Sequence, residues 1–70
     1  MSKGTIFNLL RYLAMSVAEQ VTQQLSKEDL NKKLVEEDFI LDNKTIDCAY
    51  TLYLKYIDEY KAEVEYKNAI

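Results

Sequence analysis

An all-α fold of three helices is what this sequence predicts, and three observations predict it. Apolar residues recur at spacings of three and four, a serine followed three places later by an acid stands ahead of a second such run, and one glycine with no proline leaves little to interrupt either. The expected arrangement is two long antiparallel helices and one short helix, forming a single small domain over residues 1–70 and completed by oligomerisation.

In the first element Ile6, Leu10, Leu13, Val17, Val21 and Leu25 fall on one face of a helix. Thr5 is a suitable cap, so a first helix over about 5 to 25 is expected. The stretch "SKED" follows. The Ser26 oxygen can accept from a free N–H of the first turn, and Asp29 at the third helical position suits the positive helix end, which gives a short helix over 27 to 36 with Leu30 and Leu34 one turn apart. Periodicity lapses through "EEDFILDN". Phe39, Ile40 and Leu41 make a short apolar run with no second strand to pair with, so an irregular connection that plugs one end of the core is expected. Asp42 or Asn43 then caps a third helix over about 44 to 67.

That third helix holds five tyrosines in the nineteen residues "CAYTLYLKYIDEYKAEVEY". At 100° per residue, Ile46, Tyr50, Tyr53, Ile57, Tyr60 and Val64 share an arc of about 80° and read as core, with the phenol oxygens reaching the boundary for a hydrogen bond. Cys48, Leu52, Tyr56 and Tyr66 lie off that arc. In the first helix Leu9, Tyr12 and Met15 likewise turn away from the core line. A second apolar face needs a cover of its own, so Leu9, Tyr12, Met15, Leu52, Tyr56 and Tyr66 are the expected interface, with Tyr12 and Tyr56 as anchors.

Lengths point the same way. Helices of roughly 30 and 36 Å exceed the roughly 15 Å of the second helix, which would cover Val21, Leu25, Ile46 and Ala49 and leave Ile6, Phe7, Leu10, Tyr53, Tyr60 and Val64 at an open end. A chain this short buries only about 60% of its unfolded surface. Its single cysteine cannot form an internal disulfide, so a homodimer closed through the N-terminal half of the first helix and the C-terminal half of the third is the expected support.

Catalytic and metal chemistry are not expected. There is no histidine, one thiol cannot build a zinc site, and "DFILDNKTID" lacks the glycine and glutamate of a calcium loop, so no metal or other cofactor is predicted. Cys48 adjoins Asp47, which disfavours the thiolate, and one glycine rules out a glycine-rich phosphate loop. The expectation is that the chain is not an enzyme.

Charge argues against nucleic acid as a partner. Residues 1 to 27 carry three cations against one acid, residues 28 to 70 six lysines against eleven acids, for a net charge of −3. The segment from "LSKEDLNKKL" to "DNKTIDCAY" has a faint helix-turn-helix layout, but its second helix opens among Asp42 and Asp47. A membrane is not expected either: the apolar run from Ile6 to Ala18 is too short to span one, and Lys3 and Arg11 are few cations for a surface helix. The unpaired cysteine favours a cytoplasmic setting. Eight lysines to one arginine, with abundant Asn, Ile and Tyr, suit an A/T-rich genome, a low-GC bacterium or its phage or plasmid. The expected function is therefore a non-enzymatic protein-binding module, a small regulator or inhibitor that occupies a surface of a larger protein. The alternatives are a helix-turn-helix-like DNA-binding regulator and a structural subunit of an assembly.

Overall fold

The computed structural model describes the backbone of residues 4–69 and the side chains of residues 6–67. The cap expected of Thr5 and the charge of Lys3 lie outside the described side chains. Three helices follow in order, α1 (Gly4–Ala18), α2 (Lys27–Glu36) and α3 (Asn43–Ala69), with no strand among the described residues. The all-α, three-helix class is the expected one, and α2 has the expected bounds.

The caps read from the sequence for the second and third helices are present. The Ser26 oxygen accepts from the Asp29 N–H at 3.2 Å, and the Asp42 carboxylate accepts from the Thr45 N–H at 2.8 Å, so Asp42 rather than Asn43 caps α3. The Thr45 bonds hold the Asp42 carboxyl below its ordinary range.

α1 ends at Ala18, well short of 25. Gln20 adopts a φ of 62°, its N–H bonds the Val17 carbonyl at 2.9 Å, and the Val21 N–H bonds the Ser16 carbonyl at 2.8 Å. This pair of bonds is a Schellman closure, built with glutamine where glycine is usual. α2 ends in the same way: Asp38 has a φ of 67°, with Asp38 N–H to Val35 at 2.9 Å and Phe39 N–H to Leu34 at 2.8 Å. The polar stretch from Glu19 to Gln24 offers α1 little to bury, so reversal there costs little apolar contact. It leaves Val21, expected on the core line, 74% exposed, and returns Leu25 to the core.

α1 and α3 run parallel, not antiparallel. Arg11 lies over the Tyr56 ring, Met15 shares a groove with Tyr60 and Val64, and Ala18 shares a hollow with Lys61 and Val64, so rising numbers on α1 meet rising numbers on α3. The reversal at Gln20 is the reason. The chain comes back down through Leu25, beside Tyr50 and Tyr53, and α2 continues past Asp47 to Asn43 before α3 climbs again.

Leu10, Ala14 and Val17 of α1, Leu30 and Leu34 of α2, and Ile46, Ala49, Tyr53 and Ile57 of α3 form the core. Phe39 and Leu41 pack on it from the connection, as expected of a plug, whereas Ile40 projects outward and is exposed. Leu10 and Tyr53 are therefore buried inside the chain and not at an open end.

Tyr53 is fully buried, and its hydroxyl accepts the Leu25 N–H at 3.0 Å. One turn earlier the Tyr50 hydroxyl donates to the Leu25 carbonyl at 3.1 Å. Both main-chain polar groups of a residue outside any helix are thus satisfied from α3, and the two rings, 6.0 Å apart, pack on each other. The Lys27–Asp47 ion pair, at 2.6 Å, lies next to this clamp with both side chains more than half exposed, so it orients α2 more than it stabilises it.

Two predictions follow from this architecture. A left-handed φ costs a residue with a β-carbon on the order of 1–2 kcal/mol, less for aspartate than for glutamine, and glycine returns part of that gain as unfolded-chain entropy. Gln20→Gly is expected to raise the urea midpoint by an amount worth about 0.5–1 kcal/mol, and Asp38→Gly by less; a loss of stability in both would contradict the closures. Tyr53→Phe is expected to cost about 1–2 kcal/mol at neutral pH by stranding the Leu25 N–H. Burial pushes the Tyr53 hydroxyl above its ordinary value of 10.0. A raised pKa means that this stabilisation is complete below pH 10 and is lost as pH rises through the folded value. Alkaline denaturation should therefore be less steep for Tyr53→Phe than for the parent chain, and matching curves would refute the burial of the Tyr53 hydroxyl.

Candidate functional site

The parallel arrangement decides which flanks meet. With both helices rising together, the side of α1 that carries Phe7, Arg11 and Met15 adjoins the side of α3 that carries Leu52, Tyr56 and Glu63. The opposite flank of the pair holds Tyr50, Leu25 and Asp47, and is where the connector and α2 lie. One face of the α1–α3 pair is consequently covered and the other is open.

On the open face Arg11 lies 5.5 Å from the Tyr56 ring centroid, in cation–π contact, and the Tyr56 and Tyr60 rings are 6.4 Å apart. Phe7 and Met15, each one turn from Arg11, are exposed, while Leu52 and Tyr56 are half-buried against the core. Towards the end of α3 the face continues as a groove between Met15, Tyr60 and Val64, rimmed by Glu19, Glu63 and Lys67. It ends in a shallow hollow of about 390 Å³ formed by Ala62, Glu63, Tyr66 and Lys67, with Tyr66 70% exposed.

The six expected interface residues are divided by this geometry. Met15, Leu52, Tyr56 and Tyr66 belong to the open face. Leu9 is half-buried on the core's edge, and Tyr12, although 69% exposed, stands on the other side of α1 in a hollow of about 260 Å³ shared with Val21, Leu25 and Lys33. Sequence reasoning missed Phe7, Arg11 and Glu63 as members of the face. The i, i+4 ladder Phe7, Arg11, Met15 was a usable signal; assigning it a partner flank on α3 required the helix direction. The N-terminal half of α1 lies beside the middle of α3, so a face joining it to the C-terminal half of α3 has to run along the pair.

Titratable groups are used structurally. Besides Asp42, among the described residues the pKa of Lys27 is raised by its hydrogen bond and charge contact with Asp47. Cys48 is a free, exposed thiol. Among the described residues no group of three or more His, Cys, Asp or Glu side chains is placed to hold a metal ion, and no helix is long and apolar enough to cross a membrane.

No protein-family model, curated protein or solved structure matches the chain.

Tyr12 and Leu34 separate surface from core. Tyr12→Ala is expected to change unfolding free energy by no more than about 0.5 kcal/mol and Leu34→Ala to cost about 2–5 kcal/mol. Chemical denaturation of the two variants measures both, and a large loss for Tyr12→Ala would mean that its hollow is closed in solution.

Proposed function

We propose that this chain is a non-enzymatic protein-binding module, a small regulator or inhibitor that works by occupying protein surface, and that the open α1–α3 face is its contact surface. The observation that carries this reading is the concentration of Phe7, Met15, Tyr56 and Tyr66 on the one side of the helix pair that α2 leaves bare. Aromatic rings with arginine at the centre and acids at the rim are the composition of binding hot spots. A cytoplasmic setting, in a bacterium or its phage or plasmid, is part of the same proposal and suits an exposed unpaired thiol. No observation favours the DNA-binding reading, since the capping Asp42 and the ion-paired Asp47 flank the first turn of α3.

A photo-crosslinking residue placed at Met15 or at Glu63, and at Lys32 on α2 as control, tests the face in cells. Protein adducts from the first two positions and none from Lys32 are the expected outcome. Absence of any protein adduct at Met15 and Glu63 would sink the proposal.

A further inference from the structure

We infer that the occupant of the open face is a second copy of this chain, docked antiparallel about a twofold axis that crosses the helices near Met15 and Tyr60. This rests on the protein-binding reading above and names its partner.

Two features of the face support the assignment. The first is its charge order. Arg11 and Lys55 lie at the level of Tyr56, and Glu63, with Glu19 across the groove, lies about 10 Å further along, seven residues at 1.5 Å each. Around its midpoint the face is basic at Arg11 and acidic at Glu63 and Glu19, with Lys67 at its far rim. An isologous contact requires a patch to complement itself. Rotation about the midpoint sets Arg11 of each copy against Glu63 of the other, whereas a side-by-side parallel pairing would set like against like. Glu59, nearest the axis, has Lys55 one turn away to offset it. The same rotation brings Tyr66, exposed and without cover in its own chain, to the level of Phe7 and Leu52 of the other copy.

The second feature is area. The chain exposes 5449 Å², whereas a compact monomer of 8.2 kDa exposes about 4,500 Å². The surplus is comparable with the roughly 800 Å² that each partner buries in a standard protein interface. α3 runs on past the level of Ala18, where α1 ends.

Sedimentation of the full chain tests the arrangement by charge reversal. The parent chain is expected to dimerise with a micromolar Kd at low salt. Arg11→Glu and Glu63→Arg, both exposed positions whose variants are checked for retained helicity by circular dichroism, should each weaken the dimer by about tenfold or more, and the two combined should restore it. A monomeric parent at tens of micromolar overturns the inference, as does indifference to both substitutions or failure of the combination to recover. The crosslinking positions separate the two readings. A monomer whose Met15 or Glu63 position captures a different protein loses the second-copy assignment and keeps the protein-binding one; a monomer that captures nothing loses both.

Discussion

The structure depends on how the chain between α1 and α2 is held to α3. Beyond the closure at Gln20 and Val21 the chain as far as Ser26 belongs to no helix, and unpaired backbone groups against a core are costly. Tyr53 and Tyr50 answer this at Leu25, one phenol accepting the N–H and the other donating to the carbonyl. Each ring also fills space beside the core, so the same side chains provide apolar burial and polar satisfaction. With Leu25 fixed at that height, Ser26 stands where it can cap α2 and Lys27 where it can reach Asp47. The position of α2, and with it the identity of the covered face, follows from the clamp.

Much of this fold was legible in the sequence. The cap at Ser26, a cap at Asp42 or Asn43, the bounds of α2, the core stripe of Ile46, Tyr53 and Ile57, and the plugging role of Phe39 follow from spacing and side-chain chemistry alone. What misled was punctuation. In a chain with one glycine and no proline, the helix ends are made by Gln20 and Asp38 in the left-handed region, and neither residue type signals that conformation strongly. Val21 and Leu25 continue the apolar spacing of α1, so periodicity ran straight through a reversal that only main-chain geometry reveals.

The error in helix length carried through to the error in direction, and from there to the candidate site. A first helix ending at 25 would have made a two-helix hairpin the natural reading, with the short helix laid across it. Ending at Ala18 frees enough chain to bring Leu25 back beside Tyr53, and an up-down-up path makes α1 and α3 parallel. Direction then determines which flanks become neighbours. In parallel helices the advancing flank of one meets the receding flank of the other, and this places Arg11 beside Tyr56 while turning Tyr12 towards the connector. The second apolar face was visible as a surplus of residues; its division into an open face and a half-covered groove was not, because that division depends on handedness and not on hydrophobic pattern.

A short α2 explains why any face remains open. Its ten residues span about 15 Å, enough to close one side of the lower α1–α3 pair through Leu30 and Leu34 but too little to follow α3 along its 27 residues. The result is elongated, 42 Å in its longest dimension with a radius of gyration of 12.7 Å where about 11 Å is usual for 70 residues. Such a shape leaves a small chain with less burial than a compact one of equal length, and thus with less stability of its own. A contact along the open face would restore that burial without new core residues. The clamp at Leu25 thus sets which side of the short chain is covered and which is left open.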